Sequence, residues 1–233
     1  MIQPRIDLSI YQLGLESRVR KYIKGPVARD LRRYLGVALP ALQVYLAGDY
    51  EEFIDLFQQE AGYQPQQSVI SYLISDKNTP TITIMHPQAY RTLYPLSFWT
   101  KLKHECVHIA WRRLTATWQP HWLSEGVAEY IAGQRLKLTG KSCWLYIDSE
   151  RRYRLVSPYS VLRLKINDGY SNKNYWLGRF WVSILARRFG WRRIRNLIVA
   201  LDGSDDRADF CLKFQRHFGV PFTRSGLQSI IIY

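Results

Sequence analysis

Cysteine, acidic residues and long apolar runs are what this 233-residue sequence has little of. Its three cysteines, Cys106, Cys143 and Cys211, are odd in number and show no close pairing pattern. That excludes a disulfide framework and fits a reducing, cytoplasmic setting. No such framework is needed, because a chain of this length buries roughly 70% of its unfolded surface in an ordinary core. The longest charge-free stretches, Tyr34 to Gly48 and Ala61 to Ser75, fall short of the roughly 20 apolar residues that a bilayer requires. Pro40 breaks the first of them, so no transmembrane segment is expected. Residues 1–15 carry Asp7 and lack a small-residue cleavage site, and do not read as a secretory signal. Repeats, linkers and low-complexity stretches are missing too, and 47% hydrophobic residues exclude intrinsic disorder.

The shortage of acids leaves 33 Lys+Arg against 19 Asp+Glu, a net charge of +14. Part of the excess is concentrated in Arg18, Arg20, Lys21, Lys24, Arg29, Arg32 and Arg33, interleaved with Val19, Tyr22, Val27 and Leu31 as on an amphipathic helix. A second group, Arg187, Arg188, Arg192, Arg193 and Arg195, lies near Trp191. Such surfaces attract nucleic acid, another polyanion or anionic lipid; they are equally the solvated helix faces of a generally basic protein.

Periodicity makes residues 1–36 a basic helical N-terminal segment, helical over about 15–35, and residues 37–233 one compact unit. Gln43 to Ala47 reads as a short buried strand, followed by a helix from about Asp49, its cap, to Glu60, with Gly62 as the stop. Ser68 to Ser75 and Thr81 to Met85 have the β-branched alternation of a hairpin. A long helix runs from Phe98 to about Thr115, and a second from about Trp122, after Pro120, to Gly133. Cys143 to Ile147 and Tyr153 to Val156 are short strands, and from about Asn174 the chain is helical, with Phe189-Gly190 and Phe218-Gly219 as terminations. The fold class is α+β, helix-rich, with a small antiparallel sheet ahead of the helices.

The segment that carries chemistry is His104-Glu105-Cys106-Val107-His108, an H-E-x-x-H pattern inside the first long helix. At about 100° per residue the two histidines lie about 40° apart, with Glu105 about 60° beyond His108. Two imidazoles so placed can reach one tetrahedral metal, leaving the glutamate beside it to take a proton from water. A shuffled chain with 5 His would show the pattern about 0.004 times. Glu125 follows His108 after 16 intervening residues, and Glu129 lies four further on, on the same face of the next helix. That spacing allows a turn and an antiparallel return, so a carboxylate can become the third protein ligand.

His104-Glu105-Cys106-Val107-His108, followed by Trp122-Leu123-Ser124-Glu125-Gly126-Val127-Ala128-Glu129-Tyr130, resembles the paired helices of the gluzincin zinc metallopeptidases, in particular the peptidase MA-like members related to thermolysin. Tyr175-Trp176-Leu177-Gly178 to Phe189-Gly190 is similar to that family's tyrosine-headed helix. The likeness is strong over residues 104–130 and weak over the rest of residues 40–228. Two departures are the short spacer before Glu125 and Gly178, which stands where a serine is common.

The resemblance implies a zincin-like fold of thermolysin type and a peptide or protein substrate. It assigns His104, His108 and Glu125 as Zn2+ ligands, Glu105 as catalytic base, and Glu129 as the acid that holds the first histidine's other ring nitrogen. A tyrosine would hold the oxyanion, Tyr175 ahead of Tyr170 and Tyr159. It also implies that substrate pairs with an edge strand just before the active-site helix, for which Thr81 to Met85 is the candidate.

Duller roles suit several of these groups. Cys106 points away from the histidine face and reads as core, and His86 and His121 lack partner spacing. Gly140-Lys141-Ser142 has neither the glycine spacing nor the preceding strand of a phosphate loop. The function that follows is a zinc-dependent peptidase. The alternatives are a nucleic-acid-associated basic protein, including a DNA-associated protease, and an inactive zinc-binding scaffold.

Overall fold

The computed structural model describes residues 10–61, 71–74, 79–88, 97–116, 120–133, 145–147, 153–155, 157–164, 172–202 and 206–231. It divides into two compact units, Met1–Ala110 and Trp111–Tyr233.

The first unit begins with helix α1 (Ile10–Tyr22), a wide π-turn over Ile23–Val27, and helix α2 (Ala28–Tyr34). Leu15, Val19, Ile23, Val27, Leu31 and Leu35 form one buried stripe. Their four-residue repeat drifts by about 40° per step on a regular α-helix, and the wide turn takes back part of that drift. Pro26 sits inside the turn, where its missing N–H and its ring displace the normal hydrogen bond and open the helix.

Strand β1 (Gln43–Ala47) follows, then helix α3 (Tyr50–Ala61). Asp49 Oδ1 accepts the Glu52 N–H at 2.8 Å, while Glu52 reaches back to the Gly48 N–H at 2.6 Å, so the expected cap at Asp49 forms. The expected stop at Gly62 lies outside the described residues.

Strands β2 (Ser71–Ile74) and β3 (Thr81–Met85) pair antiparallel, as the hairpin pattern predicts. The sheet as a whole is not antiparallel, because β1 pairs with β3 in parallel, Val44 opposite Ile82 and Leu46 opposite Ile84. The order is β1-β3-β2. β3 is therefore the central strand and not the edge that the hairpin alone suggests. All five of its residues are buried, Thr81 and Thr83 included, so both of its faces are covered and both of its ladders are used.

Helix α4 (Phe98–Arg112) is buried along most of its length. Within the first unit, Lys103 of α4 pairs with Asp30 of α2, and the Trp99 ring lies 5.0 Å from Tyr22 with the Arg18 guanidinium 5.5 Å above it.

The second unit contains helix α5 (His121–Ala132), a two-stranded antiparallel sheet of β4 (Leu145–Ile147) and β5 (Tyr153–Leu155), a 3-10 turn over Pro158–Arg163, and helices α6 (Asn172–Phe189), α7 (Trp191–Ala200), α8 (Arg207–Phe218) and α9 (Arg224–Ile231). α5 starts after Pro120 and stops at Gly133 with φ 96°, a left-handed position that glycine occupies without strain. Gly190 and Gly219 end α6 and α8 in the same φ range, as their aromatic-Gly pairs predict.

Trp122 stacks on Phe222 and meets Phe210 edge-on, within a cluster completed by Phe214 and Phe218. Four arginines of this unit donate to backbone carbonyls at helix or turn ends. Arg188 reaches Ser229 and Ile230 in the last turn of α9, Arg193 reaches His217 at the end of α8, Arg207 reaches Leu162 and Leu164, and Arg112 reaches Ala116. The first three place positive charge where a helical turn leaves carbonyls unsatisfied, and Arg112 closes the bend that follows α4. The fold is α+β and helix-rich, and among the described residues no helix is long and apolar enough to cross a membrane.

Candidate metal centre

α4 carries His104, Glu105 and His108 in mid-helix, all three buried in spite of their polarity. The helix forms because its remaining positions are largely apolar, with Phe98, Leu102, Val107, Ile109, Ala110 and Trp111 all buried. One helical turn brings the imidazoles together: their rings are 4.8 Å apart at 80°, and Nε2 of His108 lies 3.1 Å from Nε2 of His104. With metal–nitrogen bonds of about 2.0–2.1 Å, two nitrogens so spaced subtend an angle of about 100°, close to tetrahedral.

Glu105 projects beside them. Lys101, one turn earlier, holds its carboxylate at 2.8 Å. Burial alone would raise the Glu105 carboxyl, but the charges of Lys101, His104 and His108 outweigh it and hold it at about 2, so this group is ionised at neutral pH. Cys106 is fully buried on the other side of the helix, and burial, with the Glu105 charge, pushes its thiol well above the ordinary range.

α5 supplies Glu125 and Glu129, one turn apart and both buried. Their helix is fixed from both ends of this stretch, by Trp122 in the aromatic cluster and by the Tyr130 ring stacked on Trp191 at 4.9 Å. Between them α5 meets α6 backbone to backbone. A Cβ on Gly126 would come within 2.3 Å of the Gly178 carbonyl oxygen, and one on Gly178 within 2.0 Å of the Trp122 carbonyl oxygen. Arg179, next along α6, approaches the Glu129 carboxylate at 3.8 Å.

One nitrogen of each histidine and one carboxylate oxygen of Glu125 lie within 4.8 Å of one another, and this buried group could hold a metal ion. Two imidazoles and a carboxylate suit a divalent first-row ion, and burying three such groups together is costly unless something charged or hydrogen-bonding joins them. The donor set and the nitrogen spacing therefore fit a divalent metal ion.

Tyr175 is half-buried in the first turn of α6, Arg179 lying four residues beyond it. Tyr159 lies in the 3-10 turn under the Arg224 guanidinium. Tyr170 and Gly140-Lys141-Ser142 are outside the described residues. His86 accepts the Gln88 N–H through Nδ1 at 3.3 Å, and His121 opens α5. Sequence reasoning missed Lys101 and Arg179. The first was readable as a Lys–Glu pair four residues apart; the second had no local signal. No protein-family model matches the chain, and no curated protein matches it.

Proposed function

We propose that the protein is a zinc-dependent peptidase of gluzincin type, with His104, His108 and Glu125 as the metal ligands. The observation that carries this reading is the convergence of those three buried groups with an ionised glutamate, Glu105, beside the histidines. A bound zinc ion would lower the pKa of a water molecule towards about 7 and polarise the scissile carbonyl.

The chain's own groups do the rest. Glu105 accepts the proton from the attacking water and delivers it to the leaving amine, a transfer that needs the carboxylate ionised at the start. Glu129, which Arg179 approaches at 3.8 Å, would hold the outer nitrogen of His104 in the metal-bound protein and so fix its tautomer. Tyr175 donates its phenolic hydrogen to the oxygen on which negative charge develops. Substrate does not add beside β3, which already has two neighbours; an extended peptide would pair with an outer strand of that sheet.

The test combines metal content with hydrolysis of a denatured-protein mixture. The expected result is one zinc per chain, loss of both zinc and hydrolysis in Glu125→Ala, and in Glu105→Gln retained zinc with hydrolysis reduced at least about 10²-fold. Stoichiometric zinc in dialysed Glu125→Ala removes that ligand assignment. Hydrolysis by Glu105→Gln within a factor of a few of the parent removes the peptidase mechanism.

A further inference from the structure

The two basic groups of the sequence are taken up by the fold to different extents. In the second unit two of the five, Arg188 and Arg193, are engaged with backbone carbonyls and with the face of Phe189, while Arg187, Arg192 and Arg195 stay exposed. In α1 and α2 the cations keep their charge at the surface, although Arg18 and Arg33 lie over the rings of Trp99 and Tyr34. The segment Gly14–Gly36 contains two acids among its residues, and both are taken: Glu16 pairs with Arg20 at 2.5 Å, and Asp30 with the buried Lys103. Arg18, Lys21, Lys24, Arg29, Arg32 and Arg33 are then left on the exposed side. Arg29 comes no nearer than 3.8 Å to the already occupied Asp30. Six cations over about 22 Å of helix repel one another, and a counter-charge from outside the chain relieves that repulsion.

The geometry points to a nucleic acid, and we infer that the α1–α2 face binds its phosphodiester backbone. A membrane surface fits less well. An interfacial helix buries its apolar face in lipid, whereas here the apolar stripe from Leu15 to Leu35 is buried in the protein, and the exposed side of Gly14–Gly36 holds no large hydrophobic residue. Contact through charge alone suits a backbone of regularly spaced phosphates. The segment Gly14–Gly36 has no Asn or Gln, which removes the usual adenine readers and leaves phosphate contact as the main source of affinity.

The experiment titrates the full-length protein against a labelled DNA duplex of about 20 base pairs over a series of salt concentrations, in buffer with and without chelator. Binding is expected to weaken steeply with salt. The joint variant Arg18→Ser, Lys21→Ser, Arg32→Ser, Arg33→Ser should reduce the slope of log affinity against log salt by about 3–4. An Arg192→Ser, Arg195→Ser control should leave it unchanged, and Arg18→Lys, Arg32→Lys, Arg33→Lys should retain it, showing that charge and not helix integrity is at work. An unchanged slope in the four-Ser variant overturns the inference. So does tighter binding to phosphatidylserine vesicles than to the duplex, which assigns the face to a membrane, or equal binding to polyglutamate, which assigns it to an acidic protein. Chelator should leave DNA binding intact, so this inference and the peptidase reading fail separately.

Discussion

At the scale of single residues, the groups that matter most are polar ones that the fold takes out of water and then answers. Tyr22 is an example away from the metal centre. Burial first, then the nearby Cys106 and Asp30, push its phenol up to about 12. A group whose folded value is raised keeps its proton in the native state after the unfolded chain has lost it. Its contribution is therefore complete below about pH 10 and is lost as pH rises through about 12. Between pH 9 and pH 11.5 the parent's urea midpoint should fall further than that of Tyr22→Phe, whose ring cannot ionise. Equal falls would place the alkaline sensitivity in the other tyrosines. The same scale shows where sequence stops. His104, Glu105 and His108 are legible because one helical turn brings them together, but the pairing of Lys103 with Asp30 joins positions 73 apart, and no local pattern announces such a partner.

Among elements, the contact of α5 with α6 sets the placement of Glu125 and Glu129. The atoms that a methyl group would strike at Gly178 all belong to backbone, so no side chain can turn aside to admit it. Gly178→Ala should cost about 3 kcal/mol or more by urea unfolding, at the upper end of overpacking effects. Gly14→Ala, on an exposed helical position with nothing within 4 Å, should instead stabilise by about 0.5–1 kcal/mol. Equal effects at the two positions would show that helix propensity, and not the close approach, governs both.

Most elements were legible from periodicity: β1 over Gln43–Ala47, β3 over Thr81–Met85, and the limits of α4 and α5 to within a few residues. Strand partners were not. The Thr-Ile alternation of β3 suggests one wet face, yet the threonines are buried, because an uncharged hydroxyl tolerates a covered face. Strand β1 reaches it in parallel only after an intervening helix and strand, a pairing without a local signature. The π-turn within the N-terminal helix was similarly hidden, although Pro26 marks its place.

For the whole molecule the governing quantity is the charge of +14. Exposed cations without acidic neighbours repel at low ionic strength, and salt screens that repulsion over a Debye length of about 10 Å at 0.1 M. Raising salt from about 20 mM to 300 mM should therefore raise Tm, by about 2–4 °C if screening recovers about 1 kcal/mol. A fall would mean that ion pairs such as Lys101–Glu105 and Arg179–Glu129 outweigh repulsion. Composition revealed the size of the excess but not its division, since a guanidinium on a carbonyl and one in solvent are the same letter.

The arginines that close helix ends set a boundary for any redesign of the isoelectric point. Exchanging Arg18, Arg32 or Arg33 for glutamine would remove charge from a solvated face. The same exchange at Arg188 or Arg207 would leave two carbonyls each short of a donor. A variant neutralised without regard to position would thus lose those closures first, and its first symptom would be fraying at the end of α9 and of the Pro158–Arg163 turn rather than a change in solubility.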